Sequence, residues 1–135
     1  MYVEIFTLCD FVQESNNKLN IIGTFDQIMS HNFPAVHPQC GIAGRLRFTR
    51  VETGRHNIRV LFVNQDGRDF IPQVSADVDV AVPEGTGSVI VNLAINIGTL
   101  TFTGAGAYSI NLAVDGREMA SLPLNIVQIP AHTGG

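Results

Sequence analysis

The sequence predicts an all-β fold, an antiparallel β-sandwich of about eight or nine strands, and three observations support this prediction. Apolar and polar residues alternate with a period of two along most of the chain. Turn-forming residues interrupt the alternation about every ten residues, as in a sandwich. No segment repeats apolar residues at the three- and four-residue spacing of an amphipathic helix.

Alternation locates the strands, and turn residues mark their limits. The first three predicted strands cover residues 2–13, 19–29 and 40–51. A loop with Pro34 and Pro38 precedes the third strand, because a proline nitrogen cannot donate to a sheet ladder. The later predicted strands lie around residues 58–62 and at residues 74–82, 88–97, 100–102, 107–114 and 118–129. Residues 1–130 therefore form one predicted β-sandwich domain, followed by a flexible C-terminal tail at residues 131–135.

Length and composition are those of one domain that folds without a disulfide or a metal. The 135 residues are 45% hydrophobic and 15% charged, and the net charge of −4 weighs against binding to nucleic acid or an acidic membrane. No apolar run is long enough to span a bilayer, and residues 1–7 match a strand rather than a signal peptide. We therefore expect a cytoplasmic protein in which Cys9 and Cys40 are buried thiols. The alternative is a disulfide between neighbouring strands, which would imply export.

Side chains that could carry chemistry are few and poorly grouped. His31, His37 and Cys40 have a spacing that could suit zinc, but a structural zinc site needs four ligands and Cys40 is predicted to face the core. Asp77 and Asp79 share a strand face without the further oxygen ligands that calcium needs. Nucleophile-elbow, P-loop and zinc-protease motifs are missing from the sequence. We expect no metal, no cofactor and no catalytic residue, and hence no enzyme.

Arginines concentrate in one predicted hairpin, between the third and fourth strands. A turn at residues 52–54 would place Arg47 opposite Arg59 on the outer face, with Arg45 beside them. Like charges directly opposite each other are unfavourable, so the two aspartates of strand 74–82 are the expected partners if that strand lies beside the hairpin. The alternative is a basic patch that contacts an anion or an acidic protein. The residues of this candidate patch are Arg45, Arg47, Arg55 and Arg59.

From Gly85 to Val114 the chain contains no Asp, Glu, Lys or Arg. Inward-facing positions explain half of this run, and the outward positions offer a neutral sheet face. If exposed, residues 89–97 would be an aggregation hazard, because natural sheet edges usually carry charges. The face is either a solvent face on a central strand or a surface covered by another subunit or a protein partner, and the low charge of the chain favours the second. The candidate interface residues are Ile90, Asn92, Ala94, Asn96, Ser109 and Asn111.

The closing hairpin, residues 104–116, resembles that of immunoglobulin-like sandwiches. Tyr108 stands where a tyrosine-corner residue would begin a strand and bond to the upstream backbone. The chain has no Trp, so it lacks the signature of antibody domains. The resemblance therefore implies an immunoglobulin-like architecture and nothing narrower.

The N-terminal half carries a second resemblance. Residues 8–13, 18–28 and 33–38, together with the Asn-Gln-Asp-Gly-Arg segment at 64–68, are similar to a family of small bacterial proteins classed only as a domain of unknown function. The similarity covers most of the chain, and its motifs are turns, strand starts and core positions. It implies a bacterial β-sandwich and supplies no activity.

Together these features favour a non-enzymatic protein-interaction or scaffold domain that self-associates through its uncharged face. The alternative is a small-ligand or carbohydrate-binding module that uses loops at residues 31–39, 65–69 and 83–87. That alternative requires the three loops to meet at one end of the molecule.

Overall fold

The period-two alternation forms eleven β-strands in the computed structural model, which describes residues 1–130. The strands are β1 (Tyr2–Ser15), β2 (Lys18–Thr24), β3 (Gln27–Ser30), β4 (Ala35–His37), β5 (Cys40–Thr49), β6 (Gly54–Val63), β7 (Val74–Val80), β8 (Ser88–Ile97), β9 (Leu100–Phe102), β10 (Gly106–Val114) and β11 (Arg117–Gln128). A 3-10 helix, Arg50–Glu52, joins β5 to β6. No helix in this part of the chain is long and apolar enough to cross a membrane. The tail predicted at residues 131–135 lies outside the described residues.

Two main sheets share one apolar core, which confirms the predicted all-β class. The first sheet has the strand order β2-β1-β5-β8, the second has the order β3-β11-β10-β6-β7, and β4 pairs with β9 separately. Phe48 from β5, Phe62 from β6 and Leu112 from β10 are fully buried in the same cluster. Removing these large side chains from water is the main favourable term that holds the two sheets together.

The chain changes sheets at a point where the sequence predicts one continuous strand. The strand predicted at residues 19–29 is divided into β2 and β3 by Phe25 and Asp26, neither of which lies in a strand. The Phe25 amide donates to the Leu8 carbonyl at 3.2 Å, and the Asn125 amide donates to the Asp26 carbonyl at 2.9 Å. Adjacent residues thus bond to opposite sheets. Because β3 then runs parallel to β11, the expectation of wholly antiparallel pairing is wrong for this pair.

The predicted hairpin between the third and fourth strands is also wrong. β5 lies between β1 and β8 in the first sheet, whereas β6 lies between β10 and β7 in the second. The 3-10 helix makes the crossing, and the Glu52 carboxylate accepts hydrogen bonds from the Thr49 amide and hydroxyl, each at 2.9 Å. Gly54 begins β6 with a φ of 138°, which a glycine adopts without steric cost.

Both cysteines are buried and unbonded, as the sequence predicts. Cys40 belongs to the core between the sheets, and burial raises the pKa of its thiol to about 12. Cys9 belongs to a smaller cluster with Val12 and Ala43, on the side of the first sheet turned away from that core, and burial raises its pKa as well. The β1–β2 hairpin contributes Val12 to this cluster, so the first sheet curls over its own outer face.

Leu112 tests whether the shared core holds the two sheets together. Its side chain is 0% exposed, so Leu112→Ala should lower the free energy of unfolding by about 2–5 kcal/mol through lost burial and a residual cavity. The matched control is Val51→Ala at a residue that is 93% exposed, with an expected change within about 0.5 kcal/mol. Chemical denaturation of both variants measures the difference, and equal losses would contradict the placement of the core.

Candidate functional site

The outer face of the first sheet carries most of the predicted surface residues. Residues directly opposite each other share a face of a sheet, and the β5–β8 register places Arg45 opposite Asn92 and Arg47 opposite Ile90. In the same register Ala94 lies opposite a small residue of β5, Ala43. Neutral and basic candidates therefore lie side by side on one face.

Ser109 and Asn111 do not belong to that face. They lie on β10 in the second sheet, where Asn111 pairs with Ser121 and accepts a hydrogen bond from its hydroxyl at 2.7 Å. β10 is a central strand between β11 and β6, and its neighbouring residues Ile110 and Leu112 face the core. The six candidate interface residues are thus divided between the outer faces of the two sheets, which point away from each other, and they form no single surface.

The candidate basic patch is likewise divided, and its members have partners. Glu4 of β1 contacts two arginines of the first sheet, since its Oε1 lies 2.8 Å from Arg45 Nε and its Oε2 lies 3.1 Å from Arg47 Nε. The hydrogen bond from Arg47 is the largest cause of a lowered Glu4 pKa. In the second sheet Arg55 Nε lies 3.3 Å from Asp79 Oδ1, and Arg59 donates to the Asn57 side chain at 3.0 Å.

The expectation that Arg47 faces Arg59 is therefore wrong, because β5 and β6 lie in different sheets. The expected contact between arginine and the aspartates of β7 is formed once, at Arg55 and Asp79. Asp77 accepts instead from the Asn57 side chain at 2.9 Å. Each candidate arginine has an acceptor from the same chain nearby. These side chains therefore form intramolecular contacts and do not make an open site for an anion.

Asn96 ties the outer face of β8 to the β1–β2 hairpin. Its amide oxygen accepts from the Val12 amide at 3.1 Å, and its amide nitrogen donates to the Val12 carbonyl at 2.7 Å. The side chain thus satisfies the Val12 backbone as a neighbouring strand would. Gly41 lies between them, and a Cβ there would stand 3.1 Å from Asn96 Oδ1 and 3.0 Å from Cys9 Sγ. The missing side chain at Gly41 leaves the space through which Asn96 reaches β1.

Asn92 makes a weaker contact with the tip of the same hairpin. Its amide nitrogen donates to the Asn17 carbonyl at 3.0 Å, but its Oδ1 is buried without a hydrogen-bond partner among the described residues. An unsatisfied buried acceptor costs about 1–3 kcal/mol, which offsets the single bond that Asn92 forms. The hairpin is therefore held mainly by Asn96 and by the apolar cluster that contains Val12 and Cys9.

β8 is an edge strand, so the central-strand interpretation of the neutral face is excluded for its β8 part and holds only for β10. It pairs with β5, and no other strand within residues 1–130 pairs with it. It has ten residues without a charge, and Ala94 and Asn96 are exposed. The other edge strands of the main sheets are shorter: β2 begins with Lys18, β7 carries Asp77 and Asp79, and β3 has only four residues.

A cavity of about 350 Å³ opens beside the 3-10 helix, with Phe48, His56, Asp115 and Arg117 among its lining residues. His56 Nδ1 lies 2.6 Å from Asp115 Oδ2, and its Nε2 lies 2.5 Å from the Glu52 carbonyl oxygen. Since both partners are acceptors, both ring nitrogens must donate, which favours the imidazolium form.

These contacts shift the pKa values of both ionisable groups. The bond to the Glu52 carbonyl, and then the bond to Asp115, raise the pKa of His56, while the bond from His56 lowers the pKa of Asp115. Neither ring nitrogen is left to act as a general base. Sequence reasoning missed this pair because the two residues are 59 positions apart and Asp115 reads only as a turn residue.

The three residues whose spacing in the sequence could suit zinc do not come together in the fold. His31 Nδ1 lies 3.1 Å from the Pro130 carbonyl, whereas His37 stacks on Phe25 with ring centroids 5.0 Å apart. Cys40 is buried in the core. Within residues 1–130 no group of three or more His, Cys, Asp or Glu side chains could hold a metal ion.

The loops that the ligand-binding alternative requires do not meet. β8 pairs with β5 from Ser88 opposite Thr49 to Ile97 opposite Cys40. The loop at residues 83–87 precedes Ser88, whereas the loop at residues 31–39 leads into Cys40. These two loops therefore lie at opposite ends of the same ladder.

These features define a class of protein: an all-β domain whose most distinctive surface is an uncharged sheet edge. The chain belongs to a family of unknown function, DUF6941, whose profile matches residues 4–127. The match confirms the predicted membership of a family classed only by an unknown function. Comparison with curated proteins gave no match.

Asn96 and Asn92 give a matched test of the hairpin contact. Asn96→Ala removes two hydrogen bonds and exposes the Val12 backbone groups, so we expect a loss of about 1–3 kcal/mol in unfolding free energy. Asn92→Ala removes one bond together with an unsatisfied acceptor, and its expected loss is below about 1 kcal/mol. Urea unfolding of the two variants checks the order, and a larger loss for Asn92→Ala would refute it.

His56 gives a pH test. Its raised pKa means that its contribution to stability is complete below the ordinary histidine value of 6.5 and is lost as the pH rises through the raised value. Unfolding free energy measured from pH 6 upward should therefore fall more steeply for the wild type than for His56→Gln. His31→Gln, which leaves the His56 contacts in place, is the control and should keep the wild-type slope. Identical slopes for the wild type and His56→Gln would disprove the charged contact.

Proposed function

We propose that this protein is a non-enzymatic interaction or scaffold domain that self-associates through the edge of β8. The observation that carries the proposal is the combination of length, edge position and absence of charge in this one strand. An edge strand presents unpaired N–H and C=O groups that can pair with a strand from another chain. Proteins that stay monomeric usually protect such edges with charges, prolines or bulges.

The surroundings of β8 support its edge, rather than its face, as the contact surface. The Asn96 amide is occupied by Val12, and the Arg45 guanidinium is occupied by Glu4. The polar side chains of the outer face are thus bound within the chain. Among the edge strands of the two main sheets within residues 1–130, β8 has the longest row of backbone groups without a neighbouring strand.

The second proposal is a small-ligand module, and the cavity beside the 3-10 helix is the observation that favours it. Its volume of about 350 Å³ lies in the usual range for small-molecule sites, and Arg117 could face an anionic group against the apolar side chains of Phe48 and Met119. This site differs from the loop site that the sequence suggests. Binding of a small carboxylate that Arg117→Ala abolishes would favour it over self-association alone.

Two finer classifications belong with these proposals. We propose an immunoglobulin-like sandwich, supported by the Tyr108 hydroxyl, which donates to the Gly104 carbonyl at 3.3 Å as a tyrosine-corner residue does. Bacterial origin and a cytoplasmic location stay predictions from the sequence.

Ala94→Lys tests the proposed function. A lysine at this exposed edge position would meet its own copy or a near neighbour across the contact, so we expect the dissociation constant of self-association to rise about tenfold or more. Asn20→Lys, at an exposed position on β2 at the other edge of the same sheet, is the matched control and should leave it unchanged. Light scattering after size-exclusion chromatography measures both variants. A wild type that stays monomeric at high concentration would refute self-association.

A further inference from the structure

We propose that the partner of β8 is β8 of a second copy, paired antiparallel about a two-fold axis that passes through the middle of the strand. This inference rests on the proposed self-association, and it adds the geometry of the contact and the number of copies at which assembly stops. The two first sheets then become one continuous sheet of eight strands, because each contributes four. The product is a closed dimer rather than a filament.

Charge decides which edge can pair with itself. Across a two-fold axis each residue near the axis faces its own copy or a close neighbour, so a charged side chain there repels its equivalent. β7 has Asp77 and Asp79 within seven residues, which makes self-pairing unfavourable. β8 has none across ten residues, so its full length can overlap with its copy.

The outward row of β8 also suits close approach. Its side chains are Ile90, Asn92, Ala94 and Asn96, flanked by Ser88. Alanine and asparagine are short and leave the backbone of an incoming strand unobstructed. Antiparallel strands that meet in a single sheet stand about 4.7–4.9 Å apart, so a charged side chain in this row would lie beside the side chains of the copy on the same face.

The two faces of the sheet restrict the register. Residues opposite each other share a face, so an axis perpendicular to the sheet passes through a residue pair such as Asn92 with its copy, or Ala94 with its copy. An axis at Asn92 or at Leu93 pairs nine of the ten residues of β8 with the copy, whereas an axis at Ala94 pairs seven. A shift by one residue would place the buried row, which includes Leu93, on the outer face of the partner, and that shift is excluded.

The opposite edge of the sheet explains why pairing stops at two copies. A contact of β8 with β2 of another copy would repeat head to tail and give an open filament. β2 begins with Lys18, and its hairpin bends over the outer face, where Asn17 is bonded to Asn92. A two-fold contact instead uses the same edge on both copies, and among the strands of residues 1–130 it leaves no second neutral edge of comparable length.

Thiol cross-linking tests this geometry in the full chain. Ala94→Cys places an exposed thiol close to the proposed axis, whereas the native Cys9 and Cys40 are buried. For an axis at Leu93 the two residues at position 94 are diagonal neighbours, and for an axis at Asn92 they lie about 14 Å apart, so a bismaleimide with a spacer of roughly that length spans both separations. We expect Ala94→Cys to give a covalent species of twice the chain mass, and the matched variant Asn20→Cys on β2 to give none. Light scattering on the unmodified protein measures the assembly in parallel.

The outcomes separate this inference from the proposal on which it rests. A mass that stops at two chains, with cross-linking at position 94 alone, supports both. A dimer that Asn20→Cys cross-links, or that Ala94→Cys does not, refutes the β8 pairing and leaves self-association standing. A mass that keeps growing with concentration refutes the closed two-fold contact. A monomer at every concentration refutes both.

Discussion

The start of β5 is buried on both of its faces, and the positions of the other elements depend on this constraint. Ile42 faces the core between the sheets, whereas Ala43 lies against the β1–β2 hairpin, and each is 0% exposed. A strand covered on both sides needs small residues where the contacts are tightest, and β5 supplies Gly41 and Ala43 against the hairpin and Gly44 on the core side. A Cβ at Gly44 would stand 3.0 Å from the Leu93 side chain. The curl of the first sheet over its own face therefore follows from the residues of its central strand.

The sequence predicts the inward rows well and the connections poorly. Leu46 and Phe48 lie in the core as the alternation predicts, since which side chains leave water is decided by local pattern. The turn after Thr49 could equally close a hairpin or carry the chain to the facing sheet, because both require the same turn residues. The structure takes the second course. Because this one turn carries the chain to the other sheet, Arg47 and Arg59 lie in different sheets.

The same distinction applies to the candidate site: some of its features are visible in the local sequence, and others depend on contacts between residues far apart in the chain. The absence of charge from Gly85 to Val114 is visible in the sequence and locates β8 as the strand of interest. Its position at an edge depends on pairing between segments far apart in the chain, which no local pattern specifies. The contacts of Asn96 with Val12 and of His56 with Asp115 join residues 84 and 59 positions apart. Such contacts have no signal in a single sequence.

The uncharged run from Gly85 to Val114 lies in two different structural environments, a central strand in one sheet and an edge strand in the other. On β10 the neutral outward residues lie on a central strand, where neighbouring strands already occupy the backbone. On β8 the same composition stands at an edge, where half of the backbone groups have no strand beside them. Since Ala94 and Asn92 offer little apolar area, a strand added there gains its free energy chiefly from backbone hydrogen bonds, each worth about 0.5–1.5 kcal/mol net. A contact of this kind depends little on side-chain shape and strongly on the absence of charge over a long strand, and β8 is distinguished from the other edges by ten such residues.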